Sequence, residues 1–215
     1  MIEFLDANSP RILAGLVQHL YLSVLPIIIG LVLAIPLGMA AVRSRWIDAP
    51  LLGASSVAYS IPSLALFIVM PGILGTQILD PINVIVALSL YTLALLFRSV
   101  TDGLKAVPEP VRMASTAMGM RRLRQLLTVE LPIAVPVIAA GLRVTSVSNI
   151  SMVSVGALIG VGGLGDLFTY GFQIGSLPLI LTGIVLSVAL AFLADLIIVV
   201  LQRMLTPWAR AREAR

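Results

Sequence analysis

The chain has no cysteine and a single histidine, His19, in 215 residues. The first absence excludes disulfides, thiol nucleophiles and thiolate-bound metals. Charge is scarce as well, at 11% of residues against 59% hydrophobic, with mean hydropathy +1.08. A soluble domain carries about 25% charge, so this chain cannot clothe a globule in polar groups. It reads as an integral membrane protein. There is no G-x-x-x-x-G-K-[ST] phosphate loop, so the chain carries no P-loop site for a nucleotide. Transmembrane barrels need roughly 10-residue segments of alternating polarity, and the apolar runs here are continuous and longer. Aromatics make up 6%. Tyr59, Phe67, Tyr91, Tyr170 and Phe172 are scattered, and they suggest no aromatic cage. Trp46 and Trp208 suit anchoring positions beside the cytoplasmic interface.

What is present is a set of long apolar stretches. About 20 such residues cross a hydrocarbon core as helix. Five runs qualify, from about Leu20 to Val42, Leu51 to Leu74 (with Pro62 inside), Ile82 to Val100, Pro132 to Leu158 and Leu179 to Leu201. The fold class expected is therefore an all-α integral membrane domain of five transmembrane helices. Residues 1–215 form one domain, without repeats or a soluble module. Net charge is +4 and pI about 10.1; basic cytoplasmic loops account for it without any nucleic-acid partner. Of 14 basic residues, 12 obey one topology with the N-terminus outside and the C-terminus cytoplasmic. Arg11 and Arg143 are the exceptions. The acidic start, MIEFLDANSPRIL, reads as no cleaved leader.

The cytoplasmic excursion from about 101 to 131 carries the strongest local pattern. Pro110 and Glu109 suit a helix start, and Val111 to Met118 form a short helix that Gly119 ends in a left-handed conformation. A second helix from about Met120 leads through Pro132 into span four. Met113, Ala114, Ala117 and Met118 share a face, making a compact knob suited to a groove on a partner. An amphipathic helix lying on the lipid surface is the alternative.

Gly119, nine intervening residues and Val129-Glu130-Leu131-Pro132 resemble the loop signature of binding-protein-dependent ABC importer permeases. The opening triplet departs from it, reading Met113-Ala114-Ser115 without the family's glutamate. Tyr59–Phe67, Met113–Met120, Val129–Arg143 and Gly156–Asp166 are similar to the permeases of osmoprotectant importers, which carry glycine betaine, carnitine, choline and related quaternary amines. Methionine-importer permeases are the nearest competing family. The resemblance implies a bacterial inner-membrane subunit that pairs with a second copy or a paralogue. It also implies ABC ATPase subunits, an extracytoplasmic substrate-binding protein, and ATP with Mg on the ATPase, with no cofactor on this chain. Met113, Ala114, Ser115, Ala117, Met118, Gly119, Met120, Leu131 and Pro132 would form the coupling element. A self-sufficient channel or secondary carrier would have no reason to carry that knob.

Other features suggest a path. Thr145, Ser148, Asn149 and Met152 share one face of span four, and intramembrane polarity often marks function; interhelical hydrogen bonding is the competing account. Gly160, Gly162 and Gly165 match G-x-G-x-x-G, but after a lipid-spanning run they read as a break in the span. By resemblance, Gly162 and Gly163 belong to a gate or docking loop near the path. Arg143 and Asp195 suggest an intramembrane ion pair, structural in role; a proton relay would need more acids. His19 with Ser23 at i+4 allows a protease dyad, but nothing orients the imidazole, and a surface-facing histidine is expected.

Overall fold

The computed structural model describes residues 2–208, with side chains from residue 8 onward, and no strand occurs among them. Helix α1 (Ile2–Ala41) starts well before the expected span and runs unbroken past Pro26 and Pro36. After a short turn come α2 (Arg45–Ser60) and α3 (Ser63–Leu74), then α4 (Pro81–Lys105). Asp80 caps α4 by accepting from the Ile82 N–H at 3.0 Å, and Pro81 occupies the first turn, where a missing N–H costs nothing. The excursion folds as α5 (Glu109–Ala117) and α6 (Arg122–Gln125), which runs through a π turn at Leu126–Glu130 into α7 (Leu131–Gly156). The short helix α8 (Gly165–Gln173) and the long α9 (Leu177–Leu205) complete the order.

Small residues set how these helices pack. Built onto Gly30, a Cβ would meet the Thr92 side chain; onto Gly38, the Val100 side chain. The spacing of eight is the same in both helices, so α1 and α4 run parallel. Helix α7 runs against α4: Gly103 faces Ala134, Gly141 faces Ser99 and Gly156 faces Val84. Close backbone approach through small side chains is the usual way helices associate in lipid, where burying apolar surface confers no advantage. Two clusters lie along this α1–α4–α7 core. One centres on Leu22, Phe67, Leu88 and Tyr91, the other on Ala34, Leu96, Leu104 and Leu126. A third joins α7, α8 and α9 through Ile150, Leu167 and Leu190.

Four helical stretches among the described residues are long and apolar enough to cross a membrane, and α2 with α3 qualifies only as a bent pair. The second expected span is thus not one straight helix but two segments with a bend of 104° between them. Pro62 offers no N–H and biases Ile61 toward extended backbone, and both residues sit at ψ 130°. The Ile61 carbonyl freed by the break accepts the Tyr91 hydroxyl, whose buried ring lies edge-to-face on Tyr59 at 6.0 Å. A proline also explains the π turn. Pro132 cannot donate back to Thr128, and the Leu131 N–H reaches Leu126, one residue further than in an α-helix.

Candidate functional site

At one end of the bundle, α5 projects from the ends of α4 and α7. Pro110 in its first turn and Glu109 beside it favour initiation, and Gly119 at φ 75° lets the chain turn back. Met113, Ala114, Ala117, Met118 and Gly119 are exposed, the two methionines at 64% and 68%. Ser115 faces inward and Met120 is half-buried. Leu131 packs against the Leu96–Leu104 cluster, and Pro132 is half-buried in the first turn of α7.

Arg112 ties this knob to the bundle. Its Nη2 donates to the Leu104 carbonyl at 2.5 Å, and its guanidinium lies 3.7 Å from Glu130 and 3.9 Å from Glu109. Its own carbonyl accepts from Ser115 Oγ at 2.8 Å, Thr116 Oγ1 at 2.9 Å and Gln125 Nε2 at 3.2 Å. One residue therefore joins α5 to the end of α4 and to the π turn that opens α7. The knob is thus held to the ends of two spans by polar contacts, not by a loose loop. Arg112 stood in the sequence only as one of several basic residues, and its carbonyl network needs contacts that spacing does not reveal.

Along α7 the polar residues divide. Asn149 is buried and donates to Thr92 Oγ1 of α4 at 2.8 Å; Thr145, also buried, donates to its own Gly141 carbonyl at 2.8 Å. Ser148 and Met152 are half-exposed, and Ser151 is exposed. Arg143 and Asp195 meet in a bidentate pair, Nε to Oδ1 at 2.6 Å and Nη2 to Oδ2 at 2.9 Å. That pair opens to the same outer side of α7 and α9 as Ser148.

The glycine loop folds back onto α1. Val161 through Gly165 are buried, and Gly163 adopts φ 81°. The Gly163 N–H donates to Gln18 Oε1 at 3.1 Å, and a Cβ on Gly162 would fall on the Gln18 amide. His19 is fully buried, not surface-facing as expected. Its Nδ1 accepts from the Leu164 N–H at 3.2 Å, which makes Nε2 the protonated nitrogen and donor to the Ile150 carbonyl at 3.0 Å. Ser23 Oγ donates to the His19 carbonyl at 2.7 Å, and the imidazole's nitrogens are already engaged, so the pair does not form a nucleophile–base dyad. At the same end Arg11 stacks 3.6 Å from the centre of the Tyr170 ring and lies near Asp166. These partners hold an arginine that the charge rule did not accommodate. Burial pushes the Asp166 carboxyl above its ordinary value, and the Arg11 charge partly opposes that.

An apolar helical bundle with a short exposed helix at its basic end defines a multi-pass membrane subunit. The chain belongs to the family described as binding-protein-dependent transport system inner membrane component, which matches residues 26–211. It is 32% identical to the osmoprotectant import permease protein OsmW of Salmonella typhimurium over 209 residues, covering 96% of this chain and 97% of the relative. To the glycine betaine/carnitine/choline transport system permease protein OpuCB of Bacillus subtilis it is 30% identical, with coverage of 96% and 94%. The carnitine transport permease protein OpuCB of Listeria monocytogenes is 32% identical, with coverage of 100% and 97%. Among solved structures, the inward-facing MetNI methionine ABC transporter matches at TM-score 0.78 and 23% identity, over 91% of this chain and 96% of that one. That likeness speaks for the fold. Membership makes the chain a multi-pass, non-enzymatic inner-membrane subunit whose ATPase is a separate chain and whose system includes a substrate-binding protein.

Proposed function

We propose that this chain forms the translocation path of an ATP-driven importer of osmoprotectant quaternary amines such as glycine betaine, choline or carnitine. The observation that carries this is the near full-length similarity, at 30–32% identity, to permeases named for those compounds. Two permeases, two copies of this chain or one with a paralogue, enclose the path. The α5 knob of each, from Met113 to Met120 with Leu131 and Pro132 behind it, docks into a cleft of an ATPase. The N-terminus is outside and the basic end of the bundle is cytoplasmic, where Arg43, Arg112 and Arg122 gather. Closure of the ATPases moves the knobs together and rocks α4 and α7 between two discrete states.

Ser148 and Met152 face the path, while Asn149 ties the wall to α4 from behind and Thr145 bonds back to its own helix. The half-open polar side of α7 supports this, because such groups are costly against hydrocarbon. Gly162 and Gly163 shape the outer end beneath the docking surface for the binding protein. The test is a mild-detergent pull-down of tagged protein from its native membrane, followed by ATP hydrolysis with the binding protein. Co-purified ATPase stimulated by glycine betaine is expected. Stimulation by methionine instead would move the substrate, and no ATPase where a known importer keeps its own would overturn the reading.

A further inference from the structure

The Arg143–Asp195 pair opens onto a groove of about 530 Å³ between α7 and α9, lined otherwise by Ala140, Val144, Val147 and Ser148. The two charged side chains are 42% and 28% exposed, so neither is sealed between helices. A pair serving only to join α7 to α9 would be least costly where both helices cover it, because charge facing hydrocarbon is penalised. Here both ions face outward from the protomer, on the side of α7 that carries Ser148. We propose that this groove is a low-affinity subsite for a zwitterion bearing a carboxylate and a methylated ammonium, with the Arg143–Asp195 pair as its displaceable latch. This rests on the osmoprotectant reading above.

The chemistry of the groove matches that ligand class at both ends. A guanidinium fork receives a carboxylate through two parallel N–H bonds, the geometry that Asp195 now occupies. A quaternary ammonium has no N–H to donate, so a released carboxylate holds it by charge alone, while alanine and valine walls receive its methyl groups. The exchange conserves charge: one ion pair becomes two, and no ion is left alone. A simple cation such as choline would face Asp195 but leave Arg143 without a partner. That imbalance disfavours choline at this site. Because Asp195 competes for the fork at every moment, binding is weak and release is fast, as a transit site requires.

The test uses the permease–ATPase complex without binding protein and follows saturation-transfer NMR of the N-methyl protons of glycine betaine at millimolar concentration. The wild-type complex is expected to show binding that glycine betaine with deuterated methyl groups competes at least fivefold better than deuterated choline. The double variant Arg143→Gln/Asp195→Asn removes both charges together, so neither ion is left alone in the span, and a gel-filtration profile verifies that the complex remains assembled. It should lose at least fivefold of the signal. Signal unchanged in that variant, or no preference for glycine betaine over choline, would overturn the subsite and leave the pair structural. A wild-type complex that imports glycine betaine with its binding protein yet shows no binding alone would also overturn it. Failure of import altogether would instead strike the osmoprotectant reading itself.

Discussion

Replacing His19 by alanine tests whether the buried imidazole holds the glycine loop to α1 and α7. Its Nε2–H bond to the Ile150 carbonyl contributes about 1 kcal/mol net, since that carbonyl keeps its own helical partner. The Leu164 N–H fares worse: it is buried and would lose its acceptor, costing about 1–3 kcal/mol. Removing a fully buried ring leaves a void as well, so the total comes to about 3–5 kcal/mol. At about 2–4 °C per kcal/mol for a chain of this length, the melting temperature of the purified protein should fall by roughly 10 °C. His19→Asn places an oxygen where Nδ1 accepts and should recover about half of the loss. The absence of native cysteine permits a second readout. A cysteine introduced by Val161→Cys, at a position buried in wild type, should become reactive to a thiol probe only in the His19→Ala background. An unchanged melting temperature, together with no labelling of the introduced thiol in that background, would refute the argument.

Three further outcomes follow from other positions. Gly119 has open space around an added Cβ, so its cost is conformational, about 1–2 kcal/mol for a side chain at φ 75°; Gly119→Val should insert normally yet lower uptake at least tenfold in proteoliposomes, with Gly119→Asn retaining most of it. Tyr91→Phe removes the hydroxyl that satisfies Ile61 at the α2–α3 bend and should lower the melting temperature by roughly 2–4 °C, for a bond worth about 1 kcal/mol. The Asp166 carboxyl titrates above its ordinary value in the folded chain, so its contribution favours the fold when protonated and is lost as pH rises through that folded value. A pH series of melting temperatures should show Asp166→Asn gaining on wild type toward neutral pH and matching it in acid.

Much of the architecture was legible in the residues. Apolar runs bounded by arginines locate four of the spans, because hydrocarbon thickness fixes their length and lipid admits no unpaired backbone. The knob was legible because Pro110 and Gly119 act locally, one on its own φ and the other on a left-handed turn. Pro62 marked a weakness in the second run without revealing a 104° bend, since the angle depends on Tyr91, 29 positions further on, capturing the freed carbonyl. The burial of His19 was hidden for the same reason. A lone histidine near a span's end looks superficial until a loop 145 residues away supplies the N–H that its ring accepts.

The sequence by itself determined that the chain lives in a membrane, roughly where it crosses and that it carries a short helix closed by Gly119 between two spans, since these follow from short-range chemistry and bilayer thickness. Tertiary structure alone decided which polar groups serve packing and which remain open. Asn149 bonds across to α4 and the buried Thr145 back to its own helix, whereas Ser148 and the Arg143–Asp195 pair face outward. A helical period places residues on a face, but the neighbouring helix determines what that face meets.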